Sequence, residues 1–424
     1  MSSTPRFDAL KGVQDILPPD VSLWQKAEMA AKEIFGLRGF EEIRPPLIEP
    51  TALFTRGIGE TTDIVEKEMY TFPDRAGRSI TLRPEGTASV VRAYVEHHLH
   101  ALPPPQKFFY SGPMFRYERP QKGRFRQFHQ LGVEAFGVAS ALLDAEVIAM
   151  LRIFLAELGL DSTRLEINSI GCEKCRPGYR DALRDFFSGR LEALCPDCKS
   201  RFERNPLRIL DCKVERCGEL RKGAPRMTDF LCEECRLHFG EVLSSLSLLN
   251  IPYVINPEMV RGLDYYTRTT FEVTSEHLGA QNAVAAGGRY DRLVEEFGGP
   301  PTPGIGFAIG MERLIALVKG KKGVTGAFPD VYVAPIGEKA TREAFLIAER
   351  LRARGLRTEA GYDGSSLRSQ LRKADRLSAR YVLILGDEEL SSGKVQWKNL
   401  RDGSQGEAEI RGIEEFLSAA ACGG

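Results

Sequence analysis

Eight of the nine cysteines in this 424-residue chain fall between Cys172 and Cys235, and they fall in pairs. The pairs are Cys172-x-x-Cys175, Cys195-x-x-Cys198, Cys212-x4-Cys217 and Cys232-x-x-Cys235. Spacings of this kind let two thiolates turn toward one ion, and four thiolates leave a zinc ion no open position, so any zinc here is structural. Gly178–Leu194 reads as a helix, and about 17 residues at 1.5 Å rise span roughly 25 Å. One tetrahedral ion therefore cannot take both the first and the second pair unless the helix breaks near Gly189. Two sites, each combining non-adjacent pairs, are expected. The competing reading is eight reduced thiols in a helical insert. Disulfides are disfavoured, because such crowding in a reducing compartment argues for metal or free thiol. Cys422 stands apart in a Gly/Ala tail.

At this length two or three domains are expected, with a core large enough to need no disulfide staples. Charged residues make up 27% and hydrophobic residues 42%, which excludes a mostly disordered chain. No run approaches 18 uncharged apolar residues, so no membrane span is expected. Met1–Asp20 has no apolar core of a signal peptide, and a cytoplasmic protein is expected. With 58 cationic against 58 anionic side chains, net charge is silent about nucleic acid, and local patches decide.

Four blocks emerge. In residues 1–170, Trp24–Arg38 reads as an amphipathic helix ending at Gly39. Phe40–Glu49 reads as a strand broken by Pro45-Pro46, which suits an edge or an interface strand. Pro84 is placed to open a helix running to His98. Lys107–Glu118 and Gln127–Gly137 read as a long antiparallel hairpin, and Ala139–Leu158 as a helix. The Cys-rich block looks inserted. Beyond it, Arg268–Thr274, Gln281–Ala286 and Gly304–Ile309 carry strand signals, with helices from Tyr290 and over Met311–Val318. Lys319–Gly326 is the best linker. After it, strands at Asp330–Ile336, Leu356–Thr358 and Tyr381–Leu385 alternate with helices, implying a small α/β domain.

The hairpin tip, Arg116–Arg126, holds five cations and one anion in eleven residues. Arg116 and Glu118, two apart on a strand, share a face. Arg116 can fork onto a phosphate or carboxylate, Glu118 can accept from a base amine or an Arg, and Phe125 and Phe128 can stack on a base. Charged loops are common without function, but this combination suits phosphate plus nucleobase, or RNA. Gly304-Ile-Gly306-Phe-Ala-Ile-Gly310 is rejected as a dinucleotide fingerprint, because its last spacing is one too long and it precedes a strand signal. Close packing of a strand explains those glycines better. Arg313 sits in the first turn of an apolar helix, where a buried-side cation needs an anion. Arg261–Arg268 and Gly287-Gly-Arg-Tyr-Asp291 are ambiguous between function and a hydrogen-bonded turn. His97, His98 and His100 read as cations at a helix C-terminus rather than metal ligands. Arg368, Arg372, Arg376 and Arg380 recur every fourth residue as a basic stripe, with Leu367 and Leu371 beside it able to face a core. The stripe is either a solvated face or an RNA contact.

Together these motifs resemble the bacterial-type histidyl-tRNA synthetases, members of the class II aminoacyl-tRNA synthetases, over nearly the whole length. The resemblance rests on Lys11-Gly-Val-Gln-Asp-Ile-Leu-Pro18, Leu82-Arg-Pro-Glu-Gly-Thr87 and Phe115–Arg124. It continues through Phe128-His-Gln-Leu-Gly-Val-Glu134, Arg261-Gly-Leu-Asp-Tyr-Tyr266, Gly287–Asp291 and Gly304–Arg313. It implies an α+β fold: a six- or seven-stranded antiparallel sheet flanked by helices, a helical insertion, a C-terminal α/β anticodon-binding domain, and a homodimer with Arg44-Pro-Pro-Leu47 in its interface. It implies a catalytic domain in two parts, 1–171 and 251–325, an insertion over 172–250, and an anticodon-binding domain over 326–424. The cysteine pairs stand outside the resemblance and rest on spacing alone.

What the resemblance implies for function is ATP-dependent attachment of L-histidine to its tRNA through histidyl-adenylate. By matching position, Glu85, Thr87 and Gln130 would hold the amino group and Glu134 and Tyr266 the imidazole, with Tyr265 also among the histidine-binding residues. Arg116 would span the carboxylate and α-phosphate, Arg261 would neutralise charge at the α-phosphorus, and Arg313 would clamp the γ-phosphate. Phe128 and Glu118 would read adenine, Mg2+ would bridge phosphates, and Arg119 and Gln121 would meet the acceptor end of the tRNA. The alternative is a non-catalytic, synthetase-like regulatory subunit of histidine biosynthesis. The intact Arg116, Arg261 and Arg313 and the presence of the C-terminal domain oppose it.

Overall fold

The computed structural model describes residues 7–59, 62–121, 123–279, 282–320, 328–363 and 365–422. The chain forms two compact units, residues 1–324 and 325–424. Of the expected linker, residues 321–326 lie outside the described residues. The Cys-rich stretch belongs to the first unit and has its own buried cluster.

The first unit is organised by one eight-stranded sheet. Its strands are β1 (Glu41–Glu42), β2 (Gln106–Phe115), β3 (Gln127–Phe136), β4 (Arg164–Ser169), β5 (Val254–Ile255), β6 (Thr267–Thr274), β7 (Ala283–Arg289) and β8 (Gly304–Gly310), in the spatial order β1-β2-β3-β8-β7-β6-β4-β5. The six central strands pair antiparallel, and the two-residue strands at each edge pair parallel. The six antiparallel strands fit the six or seven that the resemblance implied, and the short parallel edges bring the sheet to eight. The β2–β3 hairpin is in register from Gln106↔Phe136 to Phe115↔Gln127.

One face of the sheet is sealed by helices Asp20–Gly36, Ala141–Glu157, Glu233–Leu248 and Met311–Lys319. Trp24, Ala27, Ala31 and Phe35 recur at helical spacing and all turn inward. Phe35 is fully buried against Phe109, Phe154 and Phe307. Burying a side chain of that size contributes about 1.5–3 kcal/mol. Helix Ala141–Glu157 starts where Ser140 Oγ accepts from Leu142 N at 3.2 Å. This helix carries Asp144 into the interior, where it meets Arg289 and, at 2.9 Å, His238. The other sheet face carries aromatic rings and polar groups, with helix Thr87–Glu96 at one side.

Several local expectations are corrected. Phe40–Glu49 is not one strand: the prolines send Ile48–Pro50 into a separate three-stranded sheet with Tyr70–Pro73 and Ser79–Leu82. The helix after Pro84 begins at Thr87, because the Glu85 carboxylate accepts from Thr87 N and Ala88 N and so caps the turn. The helix expected from Tyr290 is a single turn, Leu293–Glu296. The strand signal at Gly304–Ile309, by contrast, is met by a strand over Gly304–Gly310.

The second unit is a five-stranded sheet ordered Thr358–Ala360, Val331–Pro335, Tyr381–Leu385, Lys394–Asn399, Gln405–Glu409. The first three strands are parallel and the last two antiparallel. The antiparallel pair was not expected. Its signals were alternation across Lys394–Asn399 and the turn residues Asp402-Gly403. The basic helix ends at Arg376, so Arg380 lies beyond it. Of the two leucines expected at a core, Leu367 is exposed while Leu371 packs against the core beside buried Gln370 and Ala374, Gln370 accepting from Tyr332 Oη at 2.6 Å.

Candidate active site

On the open face of the first unit, β3, β6, β7 and β8 floor a cavity of about 300 Å3. Glu85, Thr87, Arg116, Glu118, Phe128, Gln130, Glu134, Arg261, Tyr265, Tyr266 and Arg313 all line it, although they span 229 residues of chain (313 − 85 + 1). Among the site residues named from sequence, Arg119 and Gln121 do not line it. They are exposed at the hairpin tip, where Gln121 pairs with Arg124. Among the described residues the histidines near position 98 form no metal-binding group.

One end of the cavity is carboxylate and phenol. Glu134 on β3 lies directly opposite Gly306 on β8. A Cβ at Gly306 would stand 2.0 Å from Glu134 Oε2 and 2.2 Å from Val133 O, so only glycine leaves room for that carboxylate. Thr87 Oγ1 donates to Glu134 Oε1 at 2.7 Å, and Tyr290 Oη donates to Oε2. Burial pushes the Glu134 carboxyl up to about 8, against the pull of the Tyr290 and Thr87 hydrogen bonds and helped by the nearby Glu85. Burial likewise raises Glu85, against hydrogen bonds from Ala88 and Thr87. Tyr265 and Tyr266 pack with ring centroids 4.7 Å apart, both almost wholly buried and both raised by that burial. Gln130 Oε1 is buried and finds no partner among the described residues.

The opposite end is cationic. Arg116 Nε donates to Pro84 O at 2.8 Å, and its guanidinium stands 5.3 Å from the Phe128 ring. Arg116 and Glu118 lie past the end of β2, so no strand face brings them together. A tight turn does, with Glu118 N donating to Arg116 O at 2.8 Å. Glu118 pairs with Arg124 at 3.0 Å. Arg313 donates to Ala283 O at 2.9 Å and Gly123 O at 3.2 Å. Burial, with Arg124 and Arg116 adding to it, lowers the Arg313 pKa below its usual value. An anion has much to gain at this point. Between the two ends stands Arg261, ion-paired with Glu272 and 5.4 Å from the Tyr266 ring. Burial opposes its charge, but the carboxylate of Glu272 and the Tyr266 and Tyr265 phenols prevail and raise its pKa. Its Nε is buried with no acceptor among the described residues.

Three contributors were missed from sequence. Glu272 is the one acid in the strand Thr267–Thr274, a visible signal of a special role. Tyr290 and Tyr110 reach Glu134 only through the fold. Arg289, in the same short motif as Tyr290, is fully buried against Asp144 and Asp291 and does not line the cavity.

A polar, buried amino-acid-sized end joined to a triple-guanidinium end on an antiparallel sheet defines a class II aminoacyl-tRNA synthetase. The comparisons agree. The family model described as "Histidyl-tRNA synthetase" matches residues 12–173 and 219–314, and the "Anticodon binding domain" model matches 330–420. A histidine–tRNA ligase of Syntrophotalea carbinolica is 55% identical over 97% of this chain and 98% of its own length, and one from Thermodesulfovibrio yellowstonii has the same figures. The crystal structure of apo Staphylococcus aureus histidyl-tRNA synthetase superposes with a TM-score of 0.81 at 38% identity, covering 97% of this chain and 100% of that one. The chain therefore belongs to the histidyl-tRNA synthetase family. No helix among the described residues is long and apolar enough to cross a membrane.

Proposed function

We propose that this chain attaches L-histidine to its tRNA, with ATP as the energy source and histidyl-adenylate as the intermediate. The observation that carries this is the single cavity holding Glu134, Tyr266, Arg116, Arg261 and Arg313 together. Glu134, Tyr265 and Tyr266 grip the imidazole, whose two nitrogens need distinct polar partners, and polar partners reject analogues more sharply than apolar fit does. Glu85, Thr87 and Gln130 hold the amino group. Glu85 already accepts from two backbone N–H groups but retains lone pairs for an ammonium. Arg116 orients the histidine carboxylate toward the α-phosphorus. The carboxylate oxygen bonds to that phosphorus as the bond to the β-bridging oxygen breaks, and pyrophosphate leaves. Arg261 stabilises the charge that develops there, and Arg313 holds the departing end. Phe128 stacks on adenine, and Glu118 accepts from its amine. Mg2+ enters with ATP as part of the substrate. Glu272, which lines the cavity, supplies a hard oxygen donor of the kind such a cation favours.

In the second step a ribose hydroxyl of the terminal adenosine attacks the acyl carbon and AMP leaves. Exposed Arg119 and Gln121 meet the acceptor end. Arg368, Arg372 and Arg376, exposed on one helix, meet the anticodon arm. The catalytic domain comprises 1–171 and 251–325, with 172–250 inserted and 326–424 binding the anticodon. Leu47, Ile48 and Phe72 are exposed apolar residues within or next to the Arg44-Pro-Pro-Leu47 segment, which supports a homodimer closed through that surface; the dimer works in the cytoplasm. The test is histidine-dependent exchange of pyrophosphate into ATP. No stimulation above other amino acids would remove this assignment and leave the regulatory alternative.

A further inference from the structure

The eight cysteines of the insertion gather into two groups of four: Cys172, Cys175, Cys232 and Cys235, and Cys195, Cys198, Cys212 and Cys217. Within each group the ligand atoms all lie within 4.8 Å of one another. Cys172 Sγ is 3.6 Å from Cys175 Sγ and 3.8 Å from Cys232 Sγ, and Cys195 Sγ is 3.8 Å from Cys212 Sγ. With zinc–sulfur bonds of about 2.3 Å, the edge of a tetrahedron of thiolates is roughly 3.8 Å. The spacing is therefore that of ligands around an ion, and too long for a disulfide. Backbone donors point at the sulfurs in both groups: Cys232 N to Cys175 Sγ at 3.1 Å and Cys195 N to Cys217 Sγ at 3.4 Å. Such donors suit thiolates.

The pairing is nested. The outer group joins the first and fourth pairs, as expected of non-adjacent pairs, but the inner group joins the second and third, which are neighbours. Helix Arg176–Ser188 ends at Gly189 and separates the first pair from the second. The outer group closes the insertion where the chain leaves β4 and where it re-enters helix Glu233–Leu248. The inner group brackets residues 199–211, mostly one short helix and one 3-10 turn. From that bracketed stretch Asn205 Nδ2 donates to Asp264 Oδ1 at 3.3 Å, and Arg208 Nη1 to Arg261 O at 3.4 Å. Next to the outer group, Arg176 donates to Tyr266 O. The insertion thus touches the Arg261–Tyr266 loop at three points. Its own apolar core is small, and five of its twelve buried members are cysteines, the setting in which a metal supplies folding energy.

We infer that the insertion holds two structural zinc ions, each on four thiolates, and that the inner ion fixes Asn205 and Arg208 as positioning residues for the Arg261 loop. The positioning half rests on the proposed role of Arg261, and the metal half does not. Elemental analysis of the full-length protein is expected to find two zinc ions per chain. Exchange with cobalt should give the thiolate charge-transfer and visible bands of tetrahedral sites. Cys212→Ser should lose one ion, and Cys212→His should keep both. Asn205→Ala, with both ions in place, should lower the turnover of pyrophosphate exchange about tenfold with little change in histidine KM, as a slight misplacement of a charge-stabilising group does. Wild-type protein with eight titratable thiols and no stoichiometric metal, or with disulfides, would overturn the metal sites. Full activity in Asn205→Ala and in the one-zinc Cys212→Ser would overturn the positioning role. Two zinc ions in a protein without histidine-stimulated exchange would sink the synthetase assignment and leave the metal sites standing.

Discussion

Tyr290 donates its phenol hydrogen to Glu134 across the β8 strand that separates their backbones, through the space that Gly306 leaves open. This bond, with the one from Thr87, is what holds a buried carboxyl group at the floor of the histidine end. Neither partner is near Glu134 in sequence.

Because burial holds the Glu134 carboxyl at about 8, well above its ordinary 4.5, it is largely protonated at neutral pH in the free enzyme. A ring N–H of histidine needs the ionised form, so binding must expel a proton below pH 8. Histidine affinity should tighten as pH rises toward about 8, by at most tenfold per unit, and then level. Calorimetric titration from pH 6.5 to 8.5 checks this. Glu134→Gln should bind weakly and lose that limb of the profile. For stability the sign is reversed. The raised pKa stabilises the unliganded fold fully below about 4.5, and that contribution is lost as pH rises through about 8.

Arg261→His should cut adenylate formation by about two orders of magnitude or more, the size of loss seen when a charge-stabilising group is removed from a transition state. Histidine binding by equilibrium dialysis should stay nearly intact. Parallel loss of both would contradict the assignment.

Gly306→Ala places a methyl group against Glu134 and the Val133 carbonyl, and the latter cannot move without disturbing the sheet. A rise in histidine Kd of more than tenfold with a lowered Tm is expected, from backbone strain and a displaced carboxylate. A variant with wild-type Kd would show that the carboxylate is placed by something else.

Asp144→Ala leaves buried Arg289 with Asp291 as its ion-pair partner and two backbone carbonyls as acceptors, and removes the partner of His238. Breaking a buried pair in this way costs about 3–5 kcal/mol. Urea unfolding followed by circular dichroism should show it, while a substitution on the exposed face of the same helix, such as Leu142→Ala, should not.

The long apolar-aromatic runs of β2 and β3, the helices with inward-facing apolar spacing and the αβ alternation after the linker were all legible, because each is a local pattern repeated over many residues. Arg313 was legible as a cation in a setting that needs an anion, and Arg116 as one able to fork onto a phosphate, whereas the local pattern left Arg261 ambiguous between function and a hydrogen-bonded turn. The helix start after Pro84 was misplaced because a side-chain cap from Glu85 outweighs the preference of proline for the first turn. The basic stripe was overextended to Arg380 because its fourfold period continues past the point where the helix stops.

The chain's local chemistry decided by itself that cysteines would pair, that the hairpin would be long, and that glycines would crowd β8, since side-chain spacing and backbone freedom act over a few residues. Only the tertiary structure decided which Cys pair met which. It alone set Tyr290 and Thr87 on the same carboxylate, and Glu272 on Arg261. Those matches depend on strand order and register, which bring together residues far apart along the chain and are not written in any one segment.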